Sequence, residues 1–295
     1  MPADLAVCLV NWNTRDLLAA CLQSLHDTRG DLQLDTVVVD NASSDGSADL
    51  VREQYPWVRL LANPDNRFYA AANNQALQAT DAPLKLLLNP DIVVSPGSLQ
   101  TLLAFMAGHP LAGAVAPRLR GTDGQIQPSC RAFPGPDMVR YEALGLSRLF
   151  PRNPRFGQYR MTWWDYADAR PVDQPMASAL LLRTAALDEI GLFDEQFPMF
   201  FNDVDLCRRL WDAQWEVWFT PEAEMTHLGG ASTRQVRREM IIESHRSFVL
   251  YYEKHYRATL PPAQYHTTLR LLRLGLRWRL GMLDLRRLVG RPTPA

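Results

Sequence analysis

The sequence predicts an α/β protein in which a mostly parallel central sheet is flanked by helices and followed by a helical C-terminal extension. Short apolar runs alternate with helical periodicity through the first half of the chain, which is the pattern of parallel strands joined by crossover helices. Beyond Thr233 the pattern is helical to the end, broken only by Pro261 and Pro262. We therefore predict a domain over residues 1–232 and a helical extension over residues 233–295.

The elements follow in order from this alternation. The predicted strands are residues 5–10, 35–40, 57–62, 84–89, 112–117 and 177–183. The predicted helices are residues 16–28, which Gly30 ends, and 43–55, 70–80, 98–106 and 184–190. A further helix begins at Asp203 and is followed by a strand-like run. Residues 120–175 are rich in proline, arginine and aromatic residues, so they predict an irregular insertion.

Composition excludes several classes of protein. The 295 residues are 47% hydrophobic and 21% charged, with a net charge of −1, so no overall field favours nucleic acid. The four cysteines lack the short paired spacing of zinc or redox motifs. No apolar run approaches the ~20 residues of a membrane span, and the chain begins in a strand pattern without a basic leader. We expect a cytoplasmic protein with reduced thiols.

Three polar residues lie at or just beyond the ends of predicted strands: Asn11, Asp40 and Asp91. In open α/β sheets ligands bind at this edge, so the three should lie together. Asp40 could orient a nucleotide, or it could only build a turn that caps the next helix. Asp91 ends an Asn-Pro-Asp turn, which could bind a hard divalent cation or be turn chemistry alone.

Residues 202–230 hold further candidates. Asn202 is predicted to cap a helix that opens with Asp203, whose aromatic neighbours would raise its proton affinity and suit a general base. Asp205 is predicted to form a surface ion pair with an arginine three or four residues later. His227, before Gly229 and Gly230, could reach a metal ion or be structural.

In this order the motifs resemble the inverting glycosyltransferases of family 2, which have the GT-A nucleotide-diphospho-sugar transferase fold. The resemblance covers about residues 5–250 and is strongest to bacterial rhamnosyltransferase-like members that assemble cell-surface polysaccharides. The matching segments are VCLVNWNT, VVVDNASSDGS, NRFYAAANN, LLLNPD, GLFDEQFPMFFNDVDLCRR and HLGGAS. A dehydrogenase is disfavoured, because the turn after the first strand, NWNTRD, lacks a glycine-rich phosphate loop.

The resemblance implies a role for each matching residue. Asn11, Asp40 and Asn41 would bind the nucleoside of a dTDP, UDP or GDP donor, and Asn73 would line the nucleotide-sugar site. Asp91 would hold Mg or Mn at the diphosphate, and His227 would complete that site or contact the diphosphate. Asp203 corresponds to the catalytic base. The implied acceptor is a glycan or a lipid-linked glycan.

Two departures from the family pattern leave a second interpretation open. Asn202 stands where the family usually has Glu, and Phe68 stands where it tends to have Gly. A bulky ring there could alter donor choice or block the site. The alternative function is therefore a non-catalytic nucleotide-sugar-binding protein of the same fold.

Two more regions concern the acceptor. The insertion carries Arg131, Trp163, Trp164 and Tyr166, which could form the acceptor side or belong to an ordinary packed loop. The C-terminal segment interleaves leucines and Trp278 with arginines: Arg270, Arg273, Arg277, Arg279, Arg286 and Arg287. It predicts a helix on the anionic inner face of a membrane, or one packed on the domain or in a homodimer.

Overall fold

The computed structural model describes residues 3–229 and 237–288. The strands are β1 Leu5–Asn11, β2 Leu34–Asp40, β3 Val58–Ala62, β4 Leu84–Leu88, β5 Ile92–Val94, β6 Ala112–Arg120, β7 Ile126–Gln127, β8 Cys130–Arg131, β9 Arg170–Pro171, β10 Gln174–Pro175, β11 Ala179–Arg183 and β12 Glu216–His227. The helices are α1 Arg15–Thr28, α2 Ser47–Gln54, α3 Phe68–Gln78, α4 Ser98–Gly108, α5 Pro136–Ala143, α6 Leu146–Leu149, α7 Thr184–Ile190, α8 Asn202–Asp212, α9 Arg237–Tyr256 and α10 Pro262–Leu288.

The central sheet is mixed, with strand order β3-β2-β1-β4-β11-β6-β12-β5. The first four strands in that order are parallel, as the alternating sequence pattern predicts. Strand β11 runs antiparallel between β4 and β6, and β5 runs antiparallel to β12. The predicted strands and helices of the first half are confirmed, with ends that differ by a few residues. The short strands β5 and β7–β10 escaped prediction because two or three residues carry no periodicity.

Each face of the sheet packs against its own layer of helices. Alternate residues of β1 point to opposite layers: Leu9 packs with α1, α2 and α4, and Cys8 packs with α3, α7 and α8. Both layers are built from fully buried aliphatic side chains. All four cysteines are free and buried. This three-layer arrangement places the carboxyl ends of the parallel strands, where Asn11 and Asp40 lie, along one edge.

The insertion over residues 120–175 is more ordered than the sequence indicates. It contains β7, β8, α5, α6, β9 and β10, and it contributes Cys130, Trp164 and Tyr166 to the core on the α3 side of the sheet. The sequence predicted an irregular insertion and did not indicate these short elements or this contribution to the core. Its helices were missed because prolines and glycines interrupt their short periodic stretches.

The two C-terminal helices pack against each other and against the domain. Tyr252 of α9 shares a cluster with Leu269 of α10 and Val139 of α5, and Tyr251 packs on Phe197. No helix in the described part of the chain is long and apolar enough to cross a membrane. The predicted boundary at residues 232–233, Gly230 and the side chains of Arg286 and Arg287 lie outside what the structure describes.

Candidate functional site

Asn11 and Asp40 lie side by side because β1 and β2 pair in parallel with these two residues as partners. Nδ2 of Asn11 donates to Oδ1 of Asp40 at 2.9 Å, and the backbone N–H of Ser43 donates to Oδ2 at 2.9 Å. Both carboxylate oxygens thus have one partner inside the protein, and each retains a free lone pair. Asp40 therefore stabilises the turn after β2 and can still accept a hydrogen bond from a ligand.

Asn41 connects this pair to the start of α3. Its Nδ2 donates to the carbonyl oxygen of Phe68 at 3.1 Å, and its Oδ1 accepts from Asn63 at 3.0 Å. Phe68 has a φ of 60°, a left-handed conformation that costs a residue with a Cβ about 1–2 kcal/mol. That conformation gives a physical reason for glycine at this position. The ring is 49% exposed, so it fills no buried space in the core.

Asn73 is less available to a ligand than the sequence suggests. It is 1% exposed, and its Nδ2 donates to the carbonyl oxygen of Tyr69 one turn earlier in α3 at 2.9 Å. The neighbouring Asn74 is structural, since it bridges to the backbone of Phe193 in both directions.

Asp91 and His227 meet because the antiparallel pairing of β5 with β12 sets His227 opposite Ile92. Nε2 of His227 lies 3.3 Å from Oδ2 of Asp91. Gln127 of β7 fixes the imidazole: its Nε2 donates to the carbonyl oxygen of His227 at 3.2 Å, and its Oε1 faces Nδ1 at 2.7 Å. Nδ1 therefore carries the proton, and in the neutral ring Nε2 turns its lone pair toward the carboxylate.

This geometry fits a divalent cation. Oδ1 of Asp91 is buried and has no hydrogen-bond partner among the described residues, which is costly unless a ligand satisfies it. Two ligand atoms at about 2.1 Å on adjacent corners of an octahedron lie about 3 Å apart, close to the observed separation. A carbonyl partner on the far ring nitrogen is the usual support of a metal-binding histidine. Within residues 3–229 and 237–288 no cluster of three protein ligands forms, so donor phosphates and water would complete the coordination.

Asp203 is the second residue of α8 and is partly buried. Burial raises the pKa of its carboxyl above the usual value, against the opposing effect of hydrogen bonds from the N–H groups of Val204 and Ala177. The N–H of Val204 donates to Oδ1 at 2.9 Å. A carboxylate with raised proton affinity suits general-base chemistry near neutral pH.

The backbone of Ala177 and Ser178 connects Asp203 to the segment that carries Asp91. The hydroxyl of Tyr69 donates to the carbonyl oxygen of Ala177 at 2.9 Å, and the N–H of Ala177 meets the carboxylate of Asp203. The next residue, Ser178, accepts from the N–H of Asn89 at 2.8 Å, two residues before Asp91. Burial raises the pKa of the Tyr69 phenol, and the negative charges of Asp203 and Asp91 raise it further. The two acids are therefore linked through one short stretch of backbone.

Asn202 does not cap α8, and this expectation is corrected. It is the first residue of the helix and its Nδ2 donates to the carbonyl oxygen of Phe197, while the cap position belongs to Phe201 at a φ of 66°. Phe201 is held there by stacking on Phe248 of α9, with ring centroids 4.8 Å apart. Strained backbone is common at functional sites, and here it lies two residues before Asp203.

Asp205 forms the predicted ion pair with an arginine four residues later, Arg209, but the expectation that the pair lies on the surface is corrected. It is fully buried, and its carboxylate contacts Arg209 at 2.9 Å and both Lys254 and His255 at 2.7 Å. Arg208 pairs instead with Asp212 on the surface at 3.0 Å. The sequence could not show this because Lys254 and His255 arrive from α9. The cluster ties α9 to α8 and so steadies the helix that carries Asp203.

We expect Asp205→Asn to destabilise the fold in a pH-dependent way. Burial alone would raise the pKa of Asp205, but hydrogen bonds from His255 and Lys254 and the Arg209 charge lower it to about 2. A depressed pKa stabilises the folded state above the unfolded value of 3.8, and this stability is lost as the pH falls toward 2. The substitution should lower the free energy of unfolding by about 3 kcal/mol at neutral pH.

Urea unfolding at about pH 7 and at about pH 3 measures both effects, since the difference between wild type and Asp205→Asn should shrink at the lower pH. Asp212→Asn, which breaks only the exposed pair with Arg208, is the control and should cost less than about 1 kcal/mol. An equal cost for the two substitutions at neutral pH would contradict the role of the buried cluster.

The proposed acceptor residues divide into two groups. Trp164 and Tyr166 are buried, stack on each other at 4.1 Å and pack edge-on against Phe219, so the expectation that they offer faces to an acceptor is corrected. Trp163 is 40% exposed, and Arg131 uses its guanidinium on the carbonyl oxygens of Pro128 and Cys130. Aromatic content alone does not distinguish a stacked core from a sugar platform.

Three residues that support the site are not predictable from the sequence: Gln127, Tyr69 and Phe201. Gln127 lies in a two-residue strand 100 positions from His227, and nothing local connects them. Tyr69 belongs to the NRFYAAANN segment, but its position in that segment does not reveal its contact with Ala177. Phe201 is one of the aromatic residues before Asp203, and its backbone conformation has no signal in the sequence.

The chain is similar in sequence to known glycosyltransferases. Residues 6–146 match the family model described as Glycosyl transferase family 2. The N-acetylglucosaminyl-diphospho-decaprenol L-rhamnosyltransferase of Mycobacterium tuberculosis is 33% identical over 226 residues, which cover 73% of this chain and 73% of that protein. The O-antigen biosynthesis protein RfbC of Myxococcus xanthus is 29% identical over 74% of this chain and 17% of its own length.

Solved structures share the fold at low sequence identity. The mannosyltransferase PcManGT of Pyrobaculum calidifontis, in complex with GDP-Man and Mn2+, aligns with a TM-score of 0.58 and 17% identity over 100% of this chain and 77% of its own. TarS of S. aureus, residues 1–349 in complex with UDP-GlcNAc, also aligns with a TM-score of 0.58 and 17% identity, over 91% and 70%. These likenesses show a GT-A glycosyltransferase fold.

Proposed function

The chain belongs to glycosyltransferase family 2, and on that premise we propose that it is an inverting enzyme that moves a sugar from a nucleotide-diphosphate donor to a lipid-linked glycan. Rhamnose is the candidate sugar and cell-surface polysaccharide synthesis the candidate role, because the rhamnosyltransferase of M. tuberculosis is 33% identical to this chain. The observation that supports the proposal is the Asp91–His227 pair, with the unpartnered Oδ1 of Asp91, connected to Asp203 through the backbone of Ala177 and Ser178.

The reaction is a single displacement. The carboxylate of Asp203 takes the proton of an acceptor hydroxyl while the acceptor oxygen bonds to the anomeric carbon of the donor. The bond from that carbon to the diphosphate breaks, and the diphosphate leaves with the electron pair. Attack from the face opposite the leaving group inverts the configuration, and no bond forms between sugar and protein.

The donor is held by two groups of residues. Asn11, Asp40 and Asn41 line the ends of β1 and β2, where free lone pairs can accept hydrogen bonds from a base or ribose. Asp91 and His227 would hold Mg or Mn at the diphosphate, and the cation supplies positive charge that offsets the charge of the leaving group. Asn73 contributes through its packing at the start of α3.

A lipid-linked acceptor places the reaction at a membrane surface. Helix α10 turns arginines and an indole to solvent, with Arg270, Arg273 and Arg277 exposed and Trp278 61% exposed. Basic heads beside an apolar ring suit a peripheral contact with anionic lipid at the inner face of the membrane. The alternative to a membrane contact is a homodimer in which α10 forms the interface.

Calorimetric binding of dTDP, UDP and GDP, each with and without Mn or Mg, tests the donor half of the proposal. We expect one nucleotide to bind in a metal-dependent way, and hydrolysis or transfer of its sugar to follow. Binding without any turnover of the matching sugar donor would favour the non-catalytic alternative that Asn202 and Phe68 suggest. No binding by any of the three would contradict the proposed donor site.

A further inference from the structure

A groove of about 800 Å³ runs from the start of α8 to an exposed apolar surface. Its walls are α5 and α6 on one side and α9 and α10 on the other, and Phe201 and Tyr159 line it. Phe201 comes directly before α8 and lies two residues before Asp203. The groove therefore begins near the end of α8 that carries the proposed base.

The direction of the groove follows from the packing of α9. Phe201 stacks on Phe248, in the second half of that helix. Arg238, near the start of α9, pairs with Asp284 near the end of α10 at 2.7 Å, so the two helices are antiparallel. At 1.5 Å per residue, the groove extends about 6 Å along α9 from Phe248 to Ser244. Trp278 and Leu274 form its far part.

The chemistry of the lining changes along this path. Arg148 and Arg160 line the groove and also a smaller adjoining cavity with Tyr159, and neither forms an ion pair with a carboxylate among the described residues. Glu142 lines both spaces as well, so this part presents two positive charges against one carboxylate. Most of the remaining lining is apolar, with Ser244, His245 and Arg279 as the polar exceptions. Its large apolar side chains reach solvent: Leu144 is 70% exposed, Leu274 57% and Trp278 61%. Three exposed apolar side chains of this size lining one groove are typical of a binding site.

We propose that this groove binds the diphosphate and the first isoprenoid units of a polyprenyl-linked acceptor. The inference rests on the proposed function, because it concerns the acceptor of that reaction. Such a molecule has a sugar, a diphosphate and an apolar chain in this order, which matches the base, the unpaired arginines and the apolar surface. Arg148 and Arg160 bind the diphosphate. Leu274 and Trp278 contact the chain, and a groove of this volume holds only its beginning.

The test compares two acceptors that share N-acetylglucosaminyl diphosphate, one carrying decaprenol and one a short alkyl chain. For the full-length double variant Leu274→Ala with Trp278→Ala, we expect KM for the decaprenyl acceptor to rise at least about 10-fold, the loss of one to two buried apolar side chains. KM for the short-chain acceptor and for the donor should not change. Leu111→Ala is the matched control, because Leu111 is 61% exposed and lies outside the groove.

A second variant examines the polar part. Arg160→Ala should raise KM for both acceptors, since both carry the diphosphate, and Arg160→Lys should restore part of the loss because a charge returns without the bidentate geometry. In both Arg160 variants kcat should change less than KM. A residue that only supported the fold would not change KM for the acceptor selectively.

The outcomes separate this inference from the proposed function. If the wild type uses the short-chain acceptor and gains nothing from decaprenol, the groove assignment is wrong while the function stands. An equal rise in KM for both acceptors in the double variant would also overturn the groove assignment. It would be overturned as well if the double variant turned a dimer into a monomer, since a second copy of the chain would then occupy the groove. If the wild type uses neither acceptor with any donor, the proposed function itself fails.

Discussion

Replacing Asp203 with Asn should reduce transfer by at least about 100-fold, and by as much as about 10,000-fold, the range for removal of a general base. The amide keeps the shape of the side chain and can still accept the hydrogen bond from Val204, but it cannot take the proton of the acceptor. Donor binding should stay within about 2-fold of the wild type, because Asp203 is not among the donor ligands. Transfer assays and calorimetry on the same preparation measure both.

The pH dependence of the wild type gives a second readout. Burial raises the pKa of Asp203, and the base acts in its ionised form, so kcat/KM should rise with pH through a value above the ordinary carboxyl range. That limb should vanish in Asp203→Asn. Asp212→Asn, on the exposed side of the same helix, should leave rate and profile unchanged. Near-wild-type transfer by Asp203→Asn would refute the assignment of the base.

Replacing Asp91 with Asn should remove the effect of Mn or Mg on donor binding. The substitution takes away the negative charge and puts an amide where the unpartnered Oδ1 or its neighbour now lies. We expect metal-dependent affinity for the donor nucleotide to fall by at least about 100-fold. Substitution of a residue that only supports a metal ligand typically lowers the affinity by about 10- to 100-fold. Calorimetric titration of the nucleotide with and without Mn measures the loss.

Gln127→Leu should cause a smaller loss of metal affinity than Asp91→Asn. It leaves Asp91 and His227 in place but removes the acceptor that holds the Nδ1 proton, so metal affinity should fall by about 10- to 100-fold. Gln125→Leu is the matched control. Gln125 is exposed, and of the two glutamines it is Gln127 that bonds to His227. If Asp91→Asn responded to Mn as the wild type does, the metal site would lie elsewhere.

The sequence predicted the sheet because its strands are apolar runs with sharp ends. Asn11, Asp40 and Asp91 could be placed at one edge from strand order alone, since parallel strands end together. The antiparallel β5, which brings His227 to Asp91, has three residues and left no pattern. The resemblance to a family paired the two residues, and the register of β5 with β12 supplies the physical reason.

The errors arose where a distant segment decides the environment of a residue. Asp205 had arginines at helical spacing, which predicts a surface pair, but α9 covers it with Lys254 and His255. Asn202 matched a capping pattern, but the strained Phe201, held by Phe248, takes that position. Trp164 and Tyr166 were candidate sugar platforms, but Phe219 from β12 completes a buried aromatic cluster around them. Local patterns cannot specify such contacts.

The most direct test of the whole account is the anomeric configuration of the transferred sugar. The wild type is given a dTDP-sugar, UDP-sugar or GDP-sugar, according to which nucleotide binds, with N-acetylglucosaminyl-diphospho-decaprenol as acceptor, and NMR reads the new linkage. A single displacement with Asp203 as base predicts a product whose configuration is opposite to that of the donor. A product with the donor's configuration would require a different mechanism and would contradict the account.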